Sequence, residues 1–340
     1  MEKRDRQAPK RRLKQKDLIA LLFILFSEEY DRLQVDSITD IVIPLPMIRA
    51  YIHEKTGVAY SSDSWVITQV HKYEEELGTT LFRRAGSPGN PALGLCEDLF
   101  TYEQKRHLYI TQKIKTANGV FDLIRNSLGE PPAEQTIRVL LEAGSTVTRV
   151  AEVIAQNLAS LPLCWEICTN NLGVIECLGR TSPAYGKVSI SVPRGRFDPA
   201  TNLILGDSLD LYGQTEFDWI IQGASFLSQG ALYVEKPEEA VLKSRILHDF
   251  NGTKVLVLTG HEATARINAD TKPFGKVGDY DYIIHPALPQ DSAANRRLTL
   301  GLSGEGSTNL SVMIRNWSYE ILKMDAGQQR IAHPEDDTLG

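Results

Sequence analysis

Two hydroxyls and a glycine stand together where a phosphate could be held. In Glu142-Ala143-Gly144-Ser145-Thr146, small residues follow the apolar run Ile137 to Leu141 and precede Val147, Val150, Ala151, Ile154 and Leu158, an apolar set with helical spacing. A strand ending in a tight turn at a helix start gathers free N–H groups, the positive end of the helix dipole and the Ser145 and Thr146 hydroxyls in one place. The same hydroxyls could instead serve only to cap the helix. No Gly-Lys-Ser/Thr follows, so this is not a Walker A loop.

Further turns after strand-like runs fall in the same series. Thr169-Asn170-Asn171 follows Trp165 to Cys168, Gly223-Ala224-Ser225 follows Asp218 to Gln222, and His261-Glu262 follows Lys254 to Gly260. Pro193-Arg194-Gly195-Arg196 follows Val188 to Val192 and offers two guanidinium groups suited to bidentate phosphate contacts, or to salt bridges on an exposed loop. In an open parallel sheet the ligand crevice lies beyond the carboxyl ends of the strands, so these turns belong to one candidate binding region. Catalysis is not expected: Glu142 and Glu239 are the available bases, but a lone Glu at a helix start ordinarily complements the dipole. No metal or cofactor site is expected either. Cys164, Cys168 and Cys177 lack the paired spacing of a zinc site, and the seven histidines form no i,i+4 pair.

The elements that must position these residues begin near Ile137. From there β-rich runs, ending with Tyr282 to His285, alternate with helix-period segments, the pattern of an α/β domain with a largely parallel sheet. Before it the pattern is helical. Gly129 and Pro131-Pro132 mark a linker, so the expected division is a basic arm at 1–16, a first domain at 17–128, a linker at 129–136, a binding domain at 137–325 and a flexible tail at 326–340. Charge divides likewise: residues 1–130 hold 19 basic and 18 acidic residues, the rest 18 and 25. Met1 to Lys16 alone carries eight basic and two acidic residues, an arm suited to a polyanion or simply a solvated tail. The densest apolar run, Leu18 to Phe26, is far shorter than the ~20 residues of a bilayer span. Four cysteines and the lack of a signal-peptide pattern point to the cytoplasm.

In the first domain a helix from Pro44 through Met47, Ile48, Tyr51 and Ile52 meets a turn at Thr56-Gly57-Val58. A second helix follows Ser61-Ser62-Asp63, residues able to cap it. Its stripe Val66, Val70, Tyr73 and Leu77 reads as core. The opposite face, Ser64, Thr68, His71, Lys72 and Glu75 flanked by Trp65 and Gln69, offers donors and acceptors to groove edges and phosphates. Arg83-Arg84 then leads into a Gly/Pro-rich loop, and Ala92 to Leu95 reads as the opening of a long helix reaching Leu128.

Ser62 to Arg84, with Gln69-Val70, Tyr73-Glu74 and Leu77-Gly78-x-x-Leu81-Phe82-Arg83-Arg84, resembles the winged helix-turn-helix of LysR-type regulators. That resemblance implies double-stranded DNA as partner, with Ser62, Ser64, Trp65, Thr68, Gln69, His71, Lys72, Arg83 and Arg84 facing it, and pairing of two protomers through the 97–128 helix. Ile137 to His285 is similar to the effector domain of DeoR-type regulators, which shares the ribose-5-phosphate isomerase fold. The similarity lies in Ala143 to Thr146, Thr169 to Asn171, Gly206, Asp218 to Ala224, Gly230 to Leu232, Glu238 to Lys243 and Tyr280 to Ile284. It implies that Gly144, Ser145 and Thr146 hold a sugar phosphate with Asn170, Glu239 and Lys243 around the sugar. Thr169, Asn171, Arg194, Arg196 and Gly223 complete the candidate set. Thr259-Gly260-His261-Glu262 departs from the lysine many members carry there. The combined expectation is an α-helical winged helix-turn-helix domain plus an α/β domain, forming an oligomeric regulator that senses a small phosphorylated metabolite. The alternative is a sugar-phosphate isomerase or CoA-transferase-fold enzyme with an added oligomerisation domain.

Overall fold

Apolar stripes and glycine-ended helices build two separately cored units in the computed structural model. It describes residues 13–33, 35, 37–60, 62–78, 80–96, 102–129, 135–159, 163–181, 186–206, 212, 215–264, 272–304 and 309–325. The first unit runs α1 (Gln15–Leu33), β1 (Val42–Pro44), α2 (Leu45–Thr56), α3 (Asp63–Leu77), β2 (Phe82–Ser87) and β3 (Asn90–Leu95). Gly57 at φ 71 ends α2 and Gly78 at φ 67 ends α3, each in the left-handed region that a side chain resists. Leu18, Leu22 and Phe26 of α1, Ile48 and Ile52 of α2, and Val66 and Val70 of α3 share one core with Leu81, Phe82 and Leu93.

Two expectations fail in this unit. Ala92 to Leu95 opens no helix: it lies in β3, which pairs with β2 (Arg84 opposite Leu93, Ala85 opposite Ala92) and with β1. As the middle strand of three, β3 buries every residue from Ala92 to Leu95, so it carries no alternation to set it apart from a buried helix. Neither Ser62 nor Asp63 caps α3. Asp63 pairs instead with Arg49 Nε at 2.6 Å, and Ser62 Oγ lies 3.0 Å from Ser64 Oγ.

The second unit is an α/β fold on a mixed eight-stranded sheet. Its strands are β4 (Gln135–Leu141), β5 (Leu163–Cys168), β6 (Val188–Ser191), β9 (Trp219–Gly223), β12 (Thr253–Val257), β14 (Tyr282–Pro286), β15 (Leu310–Arg315) and β16 (Tyr319–Met324). In the order β15-β16-β14-β12-β9-β4-β5-β6, the six from β14 to β6 are parallel, while β16 pairs antiparallel with β14 and with β15. The parallel six are those read from the sequence. β15 and β16 were not anticipated, because β16 takes its place by pairing with β14 and β15 by pairing with β16. Short β7 (Arg196–Asp198) and β8 (Leu203–Leu205) form a hairpin, and β10 (Phe226–Ser228), β11 (Ala231–Tyr233) and β13 (Gly275–Lys276) a second small sheet. Helices α6 (Ser145–Asn157), α7 (Leu172–Thr181), α8 (Pro237–Asp249) and α9 (Ala293–Leu302) complete it.

The expected domain boundary is also displaced. Between the units stand α4 (Tyr102–Lys105), a single turn, and α5 (Ile110–Ser127), separated by a bend at Tyr109 with φ 54, so no continuous 97–128 helix forms. α5 is not a free dimerisation helix: Ala117, Val120, Phe121, Leu123 and Ile124 lie in the core of the second unit with Ile137, Val139, Val147, Ile154 and Ile284. The division at 129–136 therefore cuts between α5 and the sheet it covers, and β4 already begins at Gln135. Residues 1–12, 97–101, 130–134 and 326–340, which include most of the basic arm and all of the expected tail, lie outside the described residues. Among the described residues no helix is long and apolar enough to cross a membrane.

The sign of one substitution separates a packed α5 from an unpartnered one. A methyl on Gly119 would lie 2.7 Å from Ile284 Cγ2 and 3.0 Å from the Tyr319 ring. Gly119→Ala is therefore expected to destabilise by about 1–3 kcal/mol in urea denaturation. On an exposed helix the same change would stabilise by up to about 1 kcal/mol.

Candidate functional site

The turn after β4 takes a conformation open to glycine: Gly144 has φ 119 and ψ 150 and precedes the first residue of α6. No side chain caps α6, so the buried Ser145 and Thr146 hydroxyls are not used as caps. The turn after β5 is sewn to it. Thr169 Oγ1 donates to Leu141 O at 2.5 Å and accepts from Asn171 N at 3.1 Å. Asn171 Nδ2 donates to Gly144 O at 3.0 Å and Glu142 O at 3.3 Å, and its Oδ1 accepts from Gly173 N at 3.0 Å. The side chains of Thr169 and Asn171 thus hold the two turns in register.

Asn170, between them, differs. It is wholly buried, its carbonyl accepts from Ile204 N at 2.8 Å, and among the described residues neither atom of its side-chain amide has a partner. Buried polar atoms are seldom left so. Glu142 Oε1 is in the same position.

Beside these turns lies a buried charge cluster. Lys243 of α8 is ion-paired with Glu142 and has Glu239 Oε1 at 3.9 Å, with side-chain exposures of 1 %, 0 % and 10 % in that order. Its ammonium also lies 5.5 Å from the Phe274 ring centroid. Gln222, at the end of β9, donates to Lys243 O at 3.3 Å and accepts from the Tyr280 hydroxyl at 2.9 Å, joining α8 to the sheet. Burial raises the Glu142 carboxyl above its ordinary range while Lys243 opposes the shift. Burial, aided by Glu142 and opposed by Lys243, pushes Glu239 up to about 7. A carboxyl poised there beside an ammonium can exchange a proton with a bound hydroxyl or hold a polar ligand.

The structure therefore brings Gly144, Ser145, Thr146, Thr169, Asn170, Asn171, Glu239 and Lys243 into one region at the strand ends, with Gly223 at the end of β9. It does not tie the side chains of Arg194 and Arg196 to that region. Arg194 precedes β7 and Arg196 begins it; both are exposed, and no hydrogen bond or ion pair links them to the cluster among the described residues. The β7–β8 hairpin itself rests on the turn after β5, with Ile204 N–H donating to Asn170 O at 2.8 Å and Leu203 bridged to Asn171. Open concavities also lie elsewhere, one of about 700 Å³ being lined by Gln229, Gly230, Lys276, Leu300 and Gly304.

Sequence reasoning missed Tyr102. Its hydroxyl lies 2.9 Å from Thr148 Oγ1 on α6, and its N–H donates to Ala200 O at 2.9 Å. Three residues on, Lys105 pairs with Glu235 and donates to Ser225 at 3.3 Å. No local signal marks this contact, since it joins residues 46 apart in the chain.

On the first unit, Ser62, Ser64, Thr68, His71 and Lys72 are exposed along α3. Trp65 and Gln69 are half-buried, Trp65 stacking on Tyr60 with centroids 3.6 Å apart. His71 Nε2 lies 3.2 Å from Glu75 Oε1. Arg83 and Arg84 are exposed on β2, with Arg83 donating to Thr39 O at 2.9 Å and lying over Gly94.

No protein-family model and no curated protein sequence matches the chain. Among solved structures it is similar to a D-ribose-5-phosphate isomerase in complex with phospho-erythronic acid, at 13 % identity over 44 % of this chain and 52 % of the other, with a TM-score of 0.31. Similarity extends to ribose 5-phosphate isomerase A from Methanocaldococcus jannaschii (12 %, 44 % and 52 %, 0.29) and to RipA from Yersinia pestis (11 %, 58 % and 51 %, 0.34). The matched segment spans about half the length of those isomerases. The carbon methyltransferase CurJ aligns over 91 % of both chains at 7 % identity and a TM-score of 0.29. Likenesses this slight carry no functional argument.

Two outcomes test the charge cluster. Lys243→Met leaves Glu142 buried and unmatched and is expected to cost about 3–5 kcal/mol of unfolding free energy, most of it recovered when Glu142→Leu is added. A single-variant loss under about 1 kcal/mol would show the pair to be solvated. For Glu239 the folded chain keeps a proton that the unfolded chain has already released, so stability falls as pH rises from 4.5 toward about 7. Glu239→Gln is expected to remove that fall, read from denaturation midpoints at about pH 5 and about pH 8.

Proposed function

We propose that this chain is a ligand-responsive DNA-binding regulator. Its first unit acts as a LysR-like winged helix-turn-helix, and its second as a DeoR-like sensor of the ribose-5-phosphate isomerase fold. The observation that carries the reading is the exposed polar face of α3, Ser64, Thr68, His71 and Lys72, beside a two-stranded hairpin bearing Arg84 at the surface. A helix with exposed donors and acceptors on one face and a basic hairpin alongside is the arrangement that enters a major groove while the hairpin reaches phosphate. The α/β unit supports the sensing half through Ser145 and Thr146, buried hydroxyls at the start of α6, and through the buried Asn170 amide, which among the described residues has no partner. Their chemistry fits a phosphorylated sugar or a related anionic metabolite, bound in the cytoplasm. Ligand binding would favour one arrangement of the two units over another. Reading two half-sites requires a second copy, paired through a surface other than the buried face of α5.

A second reading, a sugar-phosphate isomerase or CoA-transferase-fold enzyme, is favoured by one observation: Glu239, held near 7, sits beside Lys243 and Glu142. Turnover of a pentose phosphate by the wild-type chain would decide for it.

Retention of the full chain on duplex DNA tests the regulator reading. Binding is expected to weaken steeply with salt, and Lys72→Ala to lower the slope of log affinity against log salt by about one. Gln69→Ala is expected to relax base preference. Absence of binding, or binding indifferent to salt, overturns the proposal.

A further inference from the structure

The segment joining the two units lies across the turns that the proposed ligand would reach. Tyr102 begins it, buried, with its hydroxyl 2.9 Å from Thr148 Oγ1 in the first turn of α6. Thr148 Oγ1 is itself 3.3 Å from Gly144 O and 3.4 Å from Asn171 Oδ1, so the phenol closes the hydrogen-bond chain that links the two strand-end turns. On the far side stands Gly173, the second residue of α7. A methyl there would overlap the Tyr102 hydroxyl and lie 2.9 Å from Thr148 Oγ1. The phenol therefore occupies the gap between the first turns of α6 and α7, where two positive dipole ends favour an oxygen-rich group. In the same turns the Asn170 amide and Glu142 Oε1 are buried without partners among the described residues, a costly arrangement that a hydrogen-bonding ligand would relieve.

The other end of this segment reaches the first unit. Beyond Lys105, anchored on Glu235 and Ser225, the carbonyl of Arg106 accepts from Arg149 Nη2 at 3.0 Å. Tyr109 then stacks on His261, with centroids 4.0 Å apart and planes at 14°, and meets Tyr30 of α1 edge-on at 5.2 Å. Its N–H donates to Ser27 Oγ of α1 at 2.8 Å. With φ 54 it holds a backbone conformation that side chains resist, which persists only while its neighbours enforce it. Eight residues thus span from α6 and α7 to α1.

We propose that the 102–109 connector is a built-in competitor for the strand-end site, with the Tyr102 hydroxyl standing where a ligand oxygen binds. Ligand entry expels Tyr102, and the displacement passes through Tyr109 to α1 and so to the placement of the first unit. This rests on the ligand-sensing reading above and adds its regulation. The ligand's leverage is its differential affinity for the open arrangement, which the connector sets.

The full chain would be titrated calorimetrically with ribose 5-phosphate, and separately with inorganic phosphate, as wild type, Tyr102→Ala, Tyr102→Phe and Gly173→Ala. Tyr102→Ala is expected to bind ribose 5-phosphate at least about tenfold tighter than wild type, and Tyr102→Phe, which removes only the hydroxyl, to show a smaller gain of the same sign. Gly173→Ala puts a methyl where the hydroxyl and the ligand oxygen would both stand, so it is expected to displace the phenol without tightening ligand binding. Hydrogen exchange at 102–109 is expected to quicken in Tyr102→Ala and in ligand-saturated wild type. Equal affinity in wild type, Tyr102→Ala and Tyr102→Phe overturns the connector as competitor and leaves the sensor reading standing. Binding of neither probe by any variant overturns the sensor reading and this inference together.

Discussion

A lysine ammonium with almost no access to water must be matched, and in this chain the match is Glu142. Much of the site's geometry follows from that pair. Glu142 directly follows β4, so its bond to Lys243 ties α8 to the end of a central strand. The Glu142 and Gly144 carbonyls receive the Asn171 amide, which ties the same strand end to the turn after β5. Gln222 closes the circuit from β9 to the backbone of α8. A cluster of charge and amide in a low-dielectric setting is specific because alternatives are expensive: shifting any one element would leave an ion or an amide unmatched.

Around that pair, the polar atoms without partners among the described residues stand out, Glu142 Oε1 included. The Asn170 amide lies one residue from two side chains whose hydrogen bonds are largely met, and Glu239 is held as a carboxyl near neutrality by burial rather than by a partner. Polar groups retained in this way cost stability where they stand. The connector that meets α6 through Tyr102 also contacts the first unit through Tyr109, giving one short segment two allegiances.

Legibility in the sequence followed the range of the interaction involved. The strand, Gly144 turn and α6 were readable because a buried parallel strand is a continuous apolar run and an amphipathic helix repeats on its own period. Gly57 and Gly78 likewise announced the ends of α2 and α3. The boundary at 129–136 was misplaced because Pro131-Pro132 is a local break that says nothing about which core α5 covers. Ala92 to Leu95 was misread because a strand flanked on both sides loses its alternation. Arg194 and Arg196 were grouped with the site because they follow a parallel strand, but both side chains are exposed and without bonds to the cluster among the described residues.

What the residues alone determined, then, is the inventory of units and turns: helix periods, strand runs, glycines at positive φ, and hydroxyls at a helix start. Each of these depends on neighbours within a few positions, where backbone geometry restricts the choices. Only the tertiary structure decided which polar groups are satisfied and which wait, that Lys243 faces Glu142 across 101 residues of chain, and that Tyr102 fills the space Gly173 leaves. Those relations arise from burial, which converts spacing in the chain into charge matched or unmatched in a medium without water.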